Sequence, residues 1–363
     1  MSYFVRLRRT QGVISFSTLL LKATGSPVGL LATFVPQMLL FRQMEGRNMT
    51  IINSVLGPLD TKNLGVTLCH EHLQDSSTAL TLNYPELLEP AYKKHIIDGL
   101  KKAHAGGINT VVDATTLDLG RDVELMAEAS RASGVNVIAI SGWALEKPRF
   151  FPGITTKRFA QAFIKDITVG IAGTGIKAGV LKEASDRAGV LPGEEIVLRA
   201  IARAHLETGV PIMLHTAMAG EIARQQIAIL KQEGVKMGRV KIDHANDTTD
   251  LKYLTWILDQ GCFLGLDRYP GSRITPEERT NCLKALIDMG YADRLCVSHD
   301  WSLARFLSRP SPAGSPAKRK KINPYGFLYI KEKVFPQLRE MGVPEKTLST
   351  LLVNGPRNFF EGK

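Results

Sequence analysis

After residue 49, the chain alternates between short runs rich in β-branched apolar residues and longer stretches whose apolar residues recur every three or four positions. The short runs predict strands, and the longer stretches predict amphipathic helices. Strands that alternate with helices form a parallel sheet, because each helix returns the chain to the same edge. Eight strands are predicted, at 65–72, 109–114, 136–141, 177–182, 211–215, 240–244, 262–267 and 294–300.

The helical pattern is clearest at 194–208, 221–233, 250–260 and 276–289, and a glycine follows each of these stretches. Glycine suits the left-handed conformation that commonly ends a helix. Eight strands with about seven intervening helices predict an α/β fold, a (β/α)8 TIM barrel, whose usual length is about 250 residues. An open doubly wound sheet is the alternative, but no GxGxxG string follows a predicted strand.

The first 48 residues differ from the rest of the chain. They carry six basic residues and one acidic residue, and glycine and proline interrupt their uncharged stretch at 23–41. A membrane-spanning helix needs about 20 mostly apolar residues without such breaks. Three interpretations stay open: translation starts at Met49, the segment is a targeting peptide, or it is a membrane anchor. We expect a disordered N-terminal extension over 1–48 and a single catalytic domain over 49–363.

The net charge of +11, from 46 basic and 35 acidic residues, suggests a nucleic acid or an anionic membrane as partner. However, residues 1–48 carry +5 and the run at 318–321 carries +4, which leaves the barrel nearly neutral. With no nucleic-acid-binding motif present, we expect neither partner. The run at 318–321 predicts a solvated, mobile loop, and an anionic substrate group or partner is the alternative.

The four cysteines are widely spaced and form no CxxC pair. This spacing excludes a thiolate zinc site and makes a disulfide framework improbable in a chain of this size. We expect buried thiols in a reducing, cytoplasmic compartment, with an N-terminal targeting segment left open.

Histidines concentrate at the predicted C-terminal ends of the strands, the end at which barrels carry catalytic residues. His70 and His72 are two residues apart, so both point to the same side of their strand while Glu71 points to the other. By the same alternation, only one of His299 and Asp300 points inward, and we expect it to be Asp300. The strand-end set is His70, His72, His215, His244 and His299, whereas His95, His104 and His205 fall on helices and are expected to be structural or solvated.

Imidazole and carboxylate ligands without thiolates suit zinc, with cobalt, manganese or iron as alternatives. Four histidines and Asp300 exceed the needs of one catalytic zinc but suit two metals that share a site. Two neighbouring cations need a bridging anion besides hydroxide, and a bare Lys182 ammonium at the end of strand four would be repelled. We therefore infer that CO2 carboxylates Lys182 at its amino nitrogen.

The order H-x-H, Lys, His, His, Asp on eight βα units resembles the phosphotriesterase family of the amidohydrolase superfamily. The strings GPLD at 57–60, LGVTLCHEHL at 64–73, AGVLK at 178–182 and SHD at 298–300 carry this resemblance, which covers about 52–360.

The resemblance implies that His70 and His72 bind the more buried of two metals and that His215 and His244 bind the more exposed one. Carboxylated Lys182 and a hydroxide would bridge the two metals. Asp300 would bind the buried metal and accept the hydroxide proton, and Asp247 would relay that proton.

The string GLDRY at 265–269 resembles the lactonase branch of the family, where Arg-Tyr follows the aspartate of strand seven. Arg268 and Tyr269 are therefore expected to bind substrate, and Trp143, just past strand three, is expected to form an apolar wall. A structural pair with a carboxylate is the alternative for Arg268, and core packing is the alternative for Trp143. The Pro- and Lys-rich stretch after Asp300 departs from the lactonase pattern, and Gly355 is an extra residue whose effect is expected on packing alone.

The predicted activity is metal-dependent hydrolysis in which the bridging hydroxide attacks a lactone or ester, such as an acyl-homoserine lactone, with possible promiscuous cleavage of phosphotriesters. An amide hydrolase acting on N-acyl amino acids and a dedicated organophosphate triesterase are alternatives on the same metal site. A non-catalytic metal-binding protein is an alternative of another class. We expect a homodimer that acts on a small molecule.

Overall fold

The computed structural model describes residues 49–88, 90–145, 153–271, 273–305 and 316–363. The expectation for residues 1–48 lies outside these residues. The strands are β1 (Ile51–Ser54), β2 (Gly57–Asp60), β3 (Thr67–Asp75), β4 (Thr110–Asp113), β5 (Asn136–Gly142), β6 (Val180–Ser185), β7 (Ile212–Thr216), β8 (Val240–Asp243), β9 (Phe263–Leu266), β10 (Leu295–Val297) and β11 (Ser302–Arg305).

The α-helices are α1 (Thr78–Asn83), α2 (Tyr92–Ala105), α3 (Val123–Ser133), α4 (Thr156–Thr168), α5 (Pro192–Thr208), α6 (Ala223–Gln232), α7 (Leu251–Asp259), α8 (Pro276–Asp288), α9 (Pro316–Ile322), α10 (Phe335–Glu340), α11 (Glu345–Leu352) and α12 (Asn354–Glu361). The four helices with the clearest sequence pattern are confirmed as α5 to α8. Helix α7 begins where the Asp250 carboxylate accepts hydrogen bonds from two backbone N–H groups of the first turn, because a side-chain oxygen satisfies donors that have no partner within the helix.

The nine strands β3 to β11 form one parallel sheet in the order β10-β9-β8-β7-β6-β5-β4-β3-β11. All eight predicted strands are present, and the (β/α)8 TIM barrel is confirmed. Two predicted boundaries that bear on the site were wrong: β3 runs on to Asp75 rather than ending at His72, and Lys182 lies in the middle of β6 rather than at its end. The strand continues to Ser185 because Glu183, Ala184 and Ser185 remain paired with β7.

The eighth barrel strand is divided in two. Within the predicted range 294–300 only β10 is a strand, and it pairs with β9. The second part, β11, begins beyond that range at Ser302 and pairs with β3 to close the barrel, so 298–301 form a break between the two parts. Asp300 lies in the break with φ of 51°, a left-handed conformation that no strand residue adopts.

The buried carboxylate of Glu71 holds the break together. It accepts hydrogen bonds from the Ser298 hydroxyl at 2.9 Å and from the backbone N–H groups of His299 at 3.0 Å and Trp301 at 3.1 Å. The His299 ring adds a contact of 2.6 Å from Nδ1 to Glu71, while its Nε2 accepts the N–H of Ile330. His299 therefore faces the helix layer, as expected, and Glu71 points away from the barrel axis.

Two apolar layers surround the sheet. One fills the space between the strands and the helices, and a smaller one fills the barrel interior around Met213, Phe263 and Phe359. Helix α12 and the hairpin of β1 and β2 lie at the N-terminal end of the barrel, where Val55 donates to the Val137 carbonyl at 2.9 Å. The sequence did not predict these closing elements, and they leave the opposite end of the barrel for the site.

The basic run at 318–321 lies in helix α9 and is not a mobile loop. Arg319 is buried, because its guanidinium donates to the Ser302 carbonyl and lies over the Trp301 ring at 5.0 Å from the ring centre. A cation over an aromatic face is attracted by the ring's negative electrostatic potential. The expectation of a wholly solvated run is therefore wrong for this residue.

All four cysteines are buried free thiols, as expected. Within the part of the chain that the structure describes, none of the helices is both long enough and apolar enough to cross a membrane.

Replacing Glu71 by Gln should lower the free energy of unfolding by about 2–4 kcal/mol, because the amide turns a donor toward N–H groups that need an acceptor. Chemical denaturation measures the change. Glu128→Gln, an isosteric change at an exposed position of α3, is the matched control and should change stability by less than about 0.5 kcal/mol. Equal unfolding midpoints for the two variants would contradict the role of Glu71.

Candidate metal centre

His70 and His72 on β3 both point into the C-terminal end of the barrel. His70 Nε2 lies 3.4 Å and His72 Nε2 lies 3.2 Å from Oδ1 of Asp300. The break in the eighth strand brings Asp300 to this place, and its backbone N–H donates to the His70 carbonyl at 3.1 Å. The predicted chelating geometry of the H-x-H pair is thus present, with Asp300 beside it.

His215 and His244 complete the imidazole group. His215 Nδ1 lies 2.7 Å from His244 Nε2, and the His244 ring centre lies 5.0 Å from that of His70. His244 follows β8 with φ of 63°, again a left-handed conformation. Strained residues persist only where their surroundings hold them, which is common at functional sites.

Lys182 on β6 lies against the same group, with Nζ 3.0 Å from His70 Nε2 and 3.9 Å from Asp243 Oδ2. Its side chain is buried, and burial lowers the pKa of the amine even though nearby carboxylates oppose the shift. A lower pKa raises the fraction of neutral amine, the form that can react with CO2.

The hydrogen-bond partners of the rings show that the site fits cations. The Thr115 hydroxyl donates to the Gln74 carbonyl at 3.0 Å, so it accepts the Nδ1 proton of His72 at 2.8 Å and leaves Nε2 to face Asp300, the side on which a metal would bind. His244 Nδ1 lies 2.9 Å from Asp267 and 3.0 Å from the Nε of Arg268, so both groups hold this ring with Nε2 turned toward His215. Ring nitrogens that face one another and Asp300 across about 3 Å are placed to bind a zinc ion between them, since Zn–N bonds are about 2.0–2.1 Å.

Sequence reasoning missed the residues that orient these rings: Thr115, Asp267 and the buried pair of Lys241 and Asp243. A signal existed for the pair. Lys241 and Asp243 alternate with the apolar Val240 and Ile242 along β8, and charged residues at alternate positions of a fully buried strand require a partner.

Charge divides the histidines into two classes. Burial and Lys182 oppose protonation of His70, but Asp243 and Asp267 outweigh them and raise its pKa to about 10. The pKa values of His215 and His244 lie well below the usual range, chiefly because burial disfavours the charged form of each ring. Repulsion from His244 lowers the pKa of His215 further, and repulsion from Arg268 does the same for His244.

Asp300 remains a carboxylate in the absence of metal. Burial opposes its ionisation, but hydrogen bonds from His70 and His72 and the charge of Arg268 hold its pKa well below the usual range.

Arg268 lies between two carboxylates at the mouth of the site. Its Nε is 3.2 Å from Asp300 Oδ2, and its Nη1 is 3.0 Å from Asp247 Oδ2. The buried Arg279 holds the other oxygen of Asp247 at 2.9 Å. Arg268 is therefore paired with carboxylates, which was the alternative to a role in substrate binding. Asp247 is held by two guanidinium groups.

The other two expected substrate residues lie in different surroundings. Trp143 follows β5, is partly buried, and packs edge-on against Phe159 with ring centres 6.4 Å apart. Tyr269 is 1% exposed and lies within the layer between the sheet and the helices. The structure thus brings Arg268 to the metal ligands and leaves Tyr269 inside the core.

Comparisons with known proteins show to which family the chain belongs. The phosphotriesterase family model matches residues 50–360. The phosphotriesterase homology protein of Mycobacterium tuberculosis is 37% identical over 328 residues, covering 86% of this chain and 98% of the relative. Aryldialkylphosphatase of Saccharolobus solfataricus is 34% identical over 307 residues, covering 83% and 96%. N-acetyltaurine hydrolase of Rattus norvegicus is 24% identical over 356 residues, covering 86% and 98%.

Metal binding should release a proton and strengthen with pH. At pH 7 His70, with a pKa near 10, carries a proton on the nitrogen that faces the centre, and a metal ligand must lose it. His215 and His244 are already neutral at this pH and add no such dependence. Affinity should rise up to about tenfold per pH unit between pH 6.5 and 8.5. Calorimetry of the metal-free protein in buffers of different ionisation enthalpy measures the proton, and a pH-independent affinity would refute the assignment.

Proposed function

The chain belongs to the phosphotriesterase family of hydrolases, and we propose that it is a two-metal hydrolase that cleaves lactones or carboxylic esters, such as acyl-homoserine lactones. The observation that carries the choice of substrate is the position of Arg268. Its guanidinium lies 3.2 Å from Asp300 and is one-third exposed at the mouth. Donors aimed at a developing oxyanion stabilise the transition state of acyl transfer.

The ligand assignment is the one that the family resemblance implies, and the contacts of His70 and His72 with Asp300 and of His215 with His244 support it. His70, His72 and Asp300 would hold the more buried metal, His215 and His244 would hold the more exposed one, and Lys182, once carboxylated, would bridge the two. Zinc suits this donor set, and cobalt, manganese and iron are alternatives. When bound, the two ions supply an activated water and a Lewis acid that polarises the carbonyl of the substrate.

Asp300 acts as the proton acceptor. Its Oδ1 faces the two histidines of β3, and its Oδ2 faces Arg268. A carboxylate at this position can take the proton of the attacking water as the tetrahedral species forms.

Asp247 is the group that returns the proton to solvent, since it is 30% exposed at the mouth. Arg268 bridges the two carboxylates but stays protonated at any pH the protein meets. It therefore positions Asp300 and Asp247 and does not carry the proton itself.

Apolar surface near the same end of the barrel suits an acyl chain. Trp143 follows β5, and Leu117 and Leu145, on the loops after β4 and β5, are each 39% exposed. An acyl chain gains about 0.8 kcal/mol for each CH2 that it buries against such surface. We assign Trp143 to the apolar wall and Tyr269 to the packing that supports Arg268.

Two other substrate classes remain as alternatives on the same metals. The relative named aryldialkylphosphatase, at 34% identity, favours phosphotriesters as a promiscuous or dedicated substrate. The relatives named N-acetyltaurine hydrolase favour an amide with an anionic group, and the exposed Arg268 is a suitable partner for such a group. A panel of lactones, phosphotriesters and N-acyl amino acids, assayed on the metal-loaded protein, decides among the three.

Asp300→Ala should reduce kcat/KM for lactones by about 10²–10⁴-fold, the range of a lost general base, and Lys182→Ala should reduce both activity and metal content. Metal analysis and lactone assays on the full chain measure these effects. Asp98→Ala, at an exposed position of α2, is the control and should leave both unchanged. Full lactone hydrolysis in either site variant would disprove the mechanism. A new carbonyl carbon signal in the protein after growth with labelled bicarbonate, absent in Lys182→Ala, tests the carboxylation.

Arg268→Met separates the substrate classes. If Arg268 stabilises an oxyanion, kcat for lactones should fall about 10²-fold with little change in KM. If it instead binds the anionic group of an N-acyl amino acid, KM for that substrate should rise while kcat changes less. Steady-state kinetics on both substrates measures the split, and unchanged values for both would remove Arg268 from the substrate site.

A further inference from the structure

A charged pair lies inside the barrel, beneath the metal centre. Lys241 and Asp243 occupy alternate positions of β8, both side chains are fully buried, and the Lys241 ammonium donates to Oδ1 of Asp243. The intervening Ile242 and the preceding Val240 point the other way, into the layer between the sheet and the helices. Neither member of the pair is among the ligands proposed above.

The surroundings of Lys241 are apolar. Met213 and Phe263 stand beside it on the neighbouring strands, and the Phe359 ring centre lies 5.9 Å from its nitrogen. Removing an ion from water costs several kcal/mol, and a buried ion pair is often no more stable than apolar residues of the same size. Packing by itself therefore gives no reason for this pair.

The contact of the second carboxylate oxygen of Asp243, Oδ2, explains why a charged pair lies here. This oxygen lies 3.0 Å from Nδ1 of His70, the ligand proposed for the buried metal. Asp267 also reaches this nitrogen at 3.1 Å, but its other oxygen serves His244. In the described part of the chain, Asp243 contacts one histidine only, His70.

The backbone leaves room for this arrangement. A Cβ atom at Gly265 on β9 would lie 2.5 Å from Oδ1 of Asp243 and 2.6 Å from Oδ2 of Asp267. Real Cβ contacts are not that close, so a side chain at this position would displace both carboxylates. Gly265 on β9 thus leaves the space that Asp243 on β8 needs to contact His70.

We propose that the pair of Lys241 and Asp243 positions His70 for the buried metal. The Asp243 carboxylate, 3.0 Å from Nδ1 of His70, would take up the proton of that nitrogen and so direct Nε2 to the metal, and Lys241 neutralises the carboxylate and holds it in place. Lys241 and Asp243 are positioning residues and touch no substrate. The proposal rests on the two-metal centre of the proposed function but not on the identity of the substrate.

The test measures metal affinity rather than activity. Metal-free wild-type protein, Asp243→Asn and the double variant Lys241→Met/Asp243→Asn are titrated with Co²⁺, with binding followed by absorbance and bound metal counted by mass spectrometry. The double variant removes both charges, so no unpaired ion remains in the barrel if the single variant fails to fold. Asp166→Asn, which alters the ion pair with Arg121 at 3.3 Å and touches no ligand histidine, is the control.

We expect one of the two metal equivalents to weaken by about 10–100-fold in both variants, the usual loss when a partner of a metal ligand is removed. The other equivalent and both equivalents of the control should stay within about threefold of wild type. Wild-type affinity for both equivalents in the double variant, or an equal loss at both, would overturn the proposal. Wild-type protein that binds two metals but cleaves no lactone would overturn the proposed substrate and leave the pair's role to the titration.

Discussion

The carboxylate of Glu71 is the contact on which the barrel and its site both depend. It gathers the N–H groups of His299 and Trp301 and the Ser298 hydroxyl at the break in the eighth strand. Closure of the barrel requires β11 to reach β3, and the break allows it. The same break turns Asp300 inward toward His70. A buried carboxylate with this many donors is fully satisfied, which is the condition for a buried charge to persist.

Because side chains alternate along β3, the Glu71 contact also affects the candidate metal centre. His70 and His72 face the barrel axis while Glu71, between them, faces the helices. One short stretch of strand therefore supplies two of the proposed ligands and also the anchor for a third, Asp300. Backbone strain is concentrated in the same region, since His244 and Asp300 both have positive φ at a cost of about 1–3 kcal/mol each. Asp267 accepts the N–H of His244, and Glu71 accepts the N–H groups of His299 and Trp301 on either side of Asp300, so both strained residues are held in place.

Charge in the site is arranged in layers along the barrel axis. At the bottom lies Lys241, then Asp243 and Asp267, then the imidazoles with Lys182, and at the mouth Arg268 with its carboxylates. Each cation has a carboxylate next to it. The two metal ions of the proposed centre would bring positive charge into the middle layer, and the carboxylates below and above it suit that charge. Carboxylation of Lys182 would add the remaining anion, consistent with burial that disfavours its ammonium form.

The hydrophobic pattern alone was sufficient to predict all eight barrel strands, because each strand is a short buried run and an amphipathic helix separates it from the next strand. Residue spacing was sufficient to propose the H-x-H pair and Asp300, because strand alternation is a local property. The break in the eighth strand, the position of Lys182 within β6 and the burial of Arg319 depend on contacts with distant parts of the chain.

The same division explains which site residues the sequence determined by itself. The types of the proposed ligands and their order can be read along the chain, because each lies on or directly after a predicted barrel strand. The partners that orient the ligands cannot be read in this way, since Asp243 and Asp267 become neighbours of His70 only when the sheet closes on itself. Tertiary structure also decided that Arg268 pairs with Asp300 and that Tyr269 is buried. Neighbouring residues point in opposite directions, and only packing determines which of the two side chains points toward the site.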